Sequence, residues 1–169
     1  MFEFDFLAVV DGGSRGNGAA NEGYGSYVLS TRDGRKETIR LDLGTATNNE
    51  AEYQTLIAAL TDLSGRIHRA GKTPSAYSLL VHTDSQLMVN QLTQTWQIRA
   101  ANLRPPVDEA RSLKAAFGCC DLVKVPRDDV PTAGACVGAL ARSAARQTSA
   151  TSPVPHGDRV LFFLGIELY

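Results

Sequence analysis

Apolar, β-prone residues run from Phe4 to Val10 and stop at Asp11-Gly12-Gly13, so the chain opens on a strand that enters a glycine-rich loop through Gly18. Gly23 to Thr31 reads as a second strand. Asp33-Gly34 is a two-residue turn signal, and Lys36 to Leu43 alternates as a third. Short connections between the three imply an antiparallel meander. The period then changes. Ala51, Leu56, Ala59, Leu60 and Leu63 fall on one stripe of a helix over 49–63, with Gly65 where it would end. Leu79 to Thr83 is a short buried strand, 85–92 a short helix, and 107–117 another helix led in by Pro105-Pro106. Leu122 to Val125 makes a fifth strand, and the Ala-rich stretch 132–146 is compatible with a last helix despite Gly134 and Gly138.

That order predicts an α/β domain: one mixed five-stranded sheet flanked by helices, over residues 1–146. Residues 147–158 read as a linker or extended turn. The apolar Val160-Leu161-Phe162-Phe163-Leu164 that follows is expected to dock on the domain as an additional C-terminal segment, so 147–169 is taken as linker plus docked segment.

At 169 residues the chain can bury a core without staples, and its net charge of −1 does not announce a nucleic-acid partner. Any such site must be made locally. Adjacent Cys119 and Cys120 cannot readily bridge each other, and with Cys136 they make neither a disulfide framework nor a zinc site, so buried thiols are expected. With neither a signal-peptide pattern nor a membrane-length apolar run, a cytoplasmic location without membrane or obligatory protein partner is the default expectation.

Asp11 closes the first strand, Asp84 follows the fourth, and Glu52 lies near the start of the first long helix. If the first and fourth strands are neighbours, the three acids converge at one end of the sheet, supplying the hard oxygen ligands that Mg²⁺ requires. Each also has a bland account: Asp11 as a turn former, Asp84 as a helix cap, Glu52 as a favourable charge at a helix start.

Three blocks resemble the ribonuclease H type 1 family: Asp11-Gly12-Gly13-Ser14-Arg15-Gly16-Asn17-Gly18, Thr47-Asn48-Asn49-Glu50-Ala51-Glu52-Tyr53, and Thr83-Asp84-Ser85-Gln86-Leu87-Met88-Val89. They stand in the family's order, each on the expected element type. The resemblance covers about residues 3–146 and implies a ribonuclease H-like sheet. It further implies an endoribonuclease that hydrolyses the RNA strand of RNA–DNA hybrids by two-metal-ion catalysis, leaving 5′-phosphate and 3′-hydroxyl ends. Asp11, Glu52 and Asp84 would be the catalytic metal ligands, for Mg²⁺ or alternatively Mn²⁺. Gly12, Gly13, Ser14 and Asn17 would lie along the RNA backbone, Asn48 and Asn49 at the minor groove, and Ser85 and Gln86 at phosphate or sugar. Arg99 and Arg104 would meet DNA phosphates. Asn48 also reads as a cap or loop residue, and Trp96 equally as packing.

The family's fourth acid is missing. Arg127-Asp128-Asp129-Val130-Pro131-Thr132-Ala133-Gly134 puts glycine where an aspartate is expected, and glycine has no side chain to ligate with. Asp128 or Asp129 is a candidate auxiliary ligand, and weakened turnover is the expected consequence. The family's mobile histidine has no counterpart between Val125 and Thr132; His156 reads as a surface turn residue, and His82 as buried with an ordinary hydrogen bond. Two rival readings are a non-catalytic or weakly active hybrid-binding protein and another nuclease of the same superfamily that acts on DNA.

Overall fold

A computed structural model describes residues 4–16, 21–93 and 95–126. Its strands are β1 (Phe6–Arg15), β2 (Glu22–Thr31), β3 (Lys36–Thr45), β4 (Ser78–Thr83) and β5 (Cys119–Lys124). Helices α1 (Asn48–Arg69), α2 (Gln86–Leu92) and α3 (Arg104–Ala115) complete the described elements. The strands form one sheet in the order β3-β2-β1-β4-β5. The meander β1-β2-β3 is antiparallel, whereas β1-β4 and β4-β5 are parallel. The expected mixed five-stranded α/β sheet is therefore observed, with the first and fourth strands adjacent. The last helix, the linker and the apolar segment expected within 132–164 lie outside the described residues.

Two boundaries differ from the expectation in a way that matters. β1 does not end at Asp11. It continues through Gly12, Gly13 and Ser14 to Arg15, because β2 offers a partner at every step, including Asp11↔Ser26, Gly12↔Gly25 and Gly13↔Tyr24. Gly12 and Gly13 are thus strand residues rather than loop residues. Their reason is close approach: a Cβ on Gly12 would stand 2.5 Å from the Ala51 carbonyl oxygen and 2.7 Å from the Glu52 Cα. Only a glycine lets the first turns of α1 lie this near the strand.

α1 also runs further than its apolar stripe suggested, passing Gly65 to Arg69. Its start is set by Thr47, whose hydroxyl accepts from the Glu50 backbone N–H while the Glu50 carboxylate accepts from the Thr47 N–H. This reciprocal pair satisfies two amide donors at a helix end, where intrahelical partners are lacking. One stripe of α1, with Ala51, Tyr53, Leu56, Leu60, Leu63 and Ile67 almost wholly buried, packs over β1 and β2 in one core with Phe6, Ala8, Val10, Tyr27 and Leu29.

The opposite face of the sheet carries a smaller cluster of Phe4, Leu80 and Cys119. A cavity of about 760 Å³ runs over it, lined by Val9, Val28, Leu80, His82 and Val125 and reaching Asp11 and Asp84. Pro126, the last described residue, borders the same cavity. The expectation for cysteine holds for Cys120, a free buried thiol whose pKa is pushed up by burial, but not for Cys119, which is disulfide-bonded.

Candidate active site

β1 and β4 are in register from Phe6↔Leu79 to Val9↔His82. Two further residues along the same direction bring Asp11 level with Asp84, and strand alternation turns both toward the face that bears Val9 and His82. Glu52 arrives from α1 at the same end of the sheet. The proximity is felt electrostatically. Burial holds the Glu52 carboxyl above its ordinary pKa, and the negative charges of Asp84 and Asp11 push it in the same direction. Hydrogen bonds from Ser85 and Asn48 oppose the rise.

The local alternatives for these acids fail one by one. Asp11 is a paired residue within β1 rather than a turn former. The N-cap of α2 is Ser85, whose hydroxyl accepts from the Met88 N–H, so Asp84 is not the cap. The acid that serves the start of α1 is Glu50, not Glu52. Three carboxylates thus approach one another at one sheet end, and neither capping nor a turn accounts for them.

Chemically the set suits a hard divalent cation, since all its donors are carboxylate oxygens and their mutual repulsion is relieved by positive charge. Among the described residues, however, no group of three His, Cys, Asp or Glu side chains closes into a metal-holding cluster. The Glu52 carboxylate is engaged elsewhere: Oε2 accepts from Ser85 Oγ at 2.5 Å and Oε1 from Asn48 Nδ2 at 3.1 Å.

The remaining site residues distribute around this end. Gly13 lies against the Tyr24 ring, whose face also carries the Arg15 guanidinium, 4.9 Å from the centroid. Ser14 and Asn49 are half-buried, while Asn48, Gln86, Arg99 and Arg104 are exposed and Ser85 is buried. Trp96 is 51% exposed, so it is not part of the buried core. His82 is buried as expected, with its pKa lowered by desolvation, yet its Nε2 finds no hydrogen-bond partner among the described residues. Asn17, Asp128, Asp129, Gly134 and His156 lie outside the described residues.

Sequence reasoning missed a buried polar chain behind the site. The Tyr53 hydroxyl donates to Gln91 Oε1 at 2.9 Å, and Arg111 Nη2 donates to the Gln91 carbonyl at 2.8 Å, tying α1, α2 and α3 together next to Glu52. It also missed the Thr47-x-x-Glu50 capping box and its extension, in which Asn102 donates to the second Glu50 oxygen at 2.8 Å. The box was legible from residue spacing; the Asn102 bond, 52 residues away in sequence, was not.

A mixed sheet of this order flanked by helices is that of the ribonuclease H-like fold. Residues 5–124 match the RNase H family. The chain belongs to that family. It is 38% identical over 122 residues to ribonuclease HI of Halobacterium salinarum, an alignment covering 71% of this chain and 56% of that protein. A bifunctional protein of Mycobacterium tuberculosis is 34% identical over 122 residues, covering 70% of this chain and 30% of its own length. The chain therefore spans about half, or less, of the curated relatives it matches. Among solved structures, RNase H1 from Halobacterium salinarum superposes with a TM-score of 0.62 at 33% identity, over 72% of this chain and 86% of that one. LC11-RNase H1, solved in complex with RNA/DNA hybrid, gives 0.63 at 25% identity over 73% and 86%. No helix among the described residues is long and apolar enough to cross a membrane.

Proposed function

We propose that this chain is a metal-dependent endoribonuclease that cleaves the RNA strand of RNA–DNA hybrids, leaving 5′-phosphate and 3′-hydroxyl ends. The observation that carries the reading is the gathering of Asp11, Asp84 and Glu52 at one sheet end, with Glu52 sensing both neighbours and none of the three explained by capping or a turn. Family membership and the hybrid-bound relative support it.

Asp11, Glu52 and Asp84 would hold Mg²⁺, or alternatively Mn²⁺. The bound ions would activate water and offset charge on the transferring phosphate, as pairs about 4 Å apart do in other nucleases. The chain's own residues orient and select. The exposed Arg99 and Arg104 offer phosphate contacts, and Asn48, Asn49 and Gln86 offer amides to groove and sugar. Ser14 and the strand glycines present backbone along the RNA. Choice of the RNA strand rests on its 2′-hydroxyls, which DNA lacks.

Gly134 favours a second reading, a hybrid-binding protein with little or no turnover, because the family's fourth carboxylate is absent there. The test is cleavage of labelled hybrid, duplex DNA and duplex RNA with Mg²⁺ or Mn²⁺, for the wild type and Gly134→Asp. Selective cleavage of the RNA in hybrid, faster in Gly134→Asp, is the expected result. Tight hybrid binding without cleavage under either ion would establish the second reading, and preferential cleavage of duplex DNA would overturn both.

A further inference from the structure

Ser85 is 6% exposed, too buried for the phosphate or sugar contact that its place in the third block suggests. Its hydroxyl instead makes two bonds at once. It accepts from the Met88 N–H at 3.2 Å, capping α2, and donates to Glu52 Oε2 at 2.5 Å. Its own backbone N–H donates to the Thr83 Oγ1 at 3.1 Å, across the residue that stands between them. That residue is Asp84. The Thr83–Ser85 bond therefore fixes the peptide that carries one acid, while the Ser85 hydroxyl fixes the carboxylate of another.

A serine hydroxyl has one proton to donate and lone pairs to accept with, so both bonds are compatible and each restricts the other. With Met88 holding the oxygen in place, the proton is available to Glu52 across 33 residues of sequence. Asn48 completes the hold from within α1. This contact links the Glu52 carboxylate on α1 directly to the turn that carries Asp84, beside the Tyr53–Gln91 bond that joins α1 to α2.

We infer that Ser85 is a positioning residue, coupling Glu52 to the Asp84 turn so that the carboxylates are presented together to a divalent cation, rather than a substrate contact. The inference rests on the metal-site reading above. Partners that orient metal-binding side chains commonly contribute about 10–100-fold to metal affinity.

The test compares the wild type, Ser85→Ala, Ser85→Gly and Asp11→Asn. Ser85→Gly matters because glycine is nearly as good an N-cap as serine, so it removes the Glu52 bond with little loss of helix stability. Two measurements are made: the rise in melting temperature on Mg²⁺ titration without substrate, and hydrolysis as a function of Mg²⁺ and of hybrid concentration. Expected are a Mg²⁺ midpoint about tenfold higher in both Ser85 variants by both measurements, and an unchanged KM for hybrid at saturating Mg²⁺. An unchanged Mg²⁺ midpoint with a raised KM for hybrid would overturn the inference in favour of a substrate contact. Midpoint and KM both unchanged would overturn it as well. A wild type whose melting temperature ignores Mg²⁺, like that of Asp11→Asn, would instead overturn the metal-site reading on which it stands.

Discussion

The two ends of α1 carry clusters of charge built on opposite principles. Near its C-terminal end, Arg66 grips both oxygens of Asp62 at 2.9 and 2.8 Å, reaches Glu37 of β3 at 2.5 Å, and leaves Asp62 to accept from the Tyr27 hydroxyl at 3.0 Å. Opposite charges meet, and the cluster holds the helix to the edge of the sheet. Around its second turn, Glu52 faces Asp84 and Asp11, and the charges are alike. One cluster is satisfied by opposite charges within the fold; in the other, Glu52 is met by neutral donors from Ser85 and Asn48. A half-buried carboxylate left among carboxylates costs stability, and such groups concentrate at functional sites. The contrast separates the end of the helix that serves structure from the end that carries the proposed site.

Four substitutions probe this contrast. The largest effect is expected for Asp11→Asn, which removes one proposed ligand without changing shape. Hydrolysis should fall by roughly 100-fold or more, while the circular dichroism spectrum and melting temperature stay near those of the wild type. Full Mg²⁺-dependent activity in that variant would erase the distinction between the two ends.

Arg66→Met should affect stability instead. It strands Asp62 and Glu37 without their cation, in a spot where the Arg66 side chain is only 14% exposed. The cost is put at about 2 kcal/mol, below the range for fully buried pairs because Glu37 remains open to water, and urea denaturation would measure it. Catalytic turnover at temperatures where the variant stays folded should be preserved.

Thr47→Ala removes the capping hydroxyl at the start of α1 and should cost about 1 kcal/mol in the same assay, since the Glu50 bond to the Thr47 backbone survives.

The smallest effect on stability carries an unusual sign. The Glu52 pKa is raised on folding, so the folded protein binds that proton more tightly than the unfolded chain does. Stability from this group therefore declines as pH rises above the ordinary carboxylate range, and at neutral pH the charge is a liability. Glu52→Gln should abolish activity yet raise the metal-free melting temperature at pH 7, with the gap closing as pH falls toward 4.5. An equal or lower melting temperature at neutral pH would show that Ser85 and Asn48 already compensate the charge fully.

Much of this was readable in advance, and the failures share a cause. The elements followed from apolar spacing, and the strand-helix order led to the sheet. Where the reading stopped short, at the end of β1 and at the C-terminal end of α1, continuation depended on partners supplied from elsewhere: β2 pairing residue by residue with the glycine block, and Arg66 anchored to β3. Gly12 and Gly13 looked like turn residues because glycine is common in turns. What requires glycine at position 12 is the backbone of α1, 39 residues further on at Ala51.

The chain alone determined the order of three acids along a strand, a helix and the turn after another strand, because periodicity, turn chemistry and motif spacing are properties of neighbouring residues. Tertiary structure decided which of them meet, that Ser85 serves Glu52, and that Asn102 reaches Glu50. Those outcomes turn on which backbones approach within hydrogen-bonding or van der Waals distance, and such distances exist only after the sheet has brought β1 and β4 side by side.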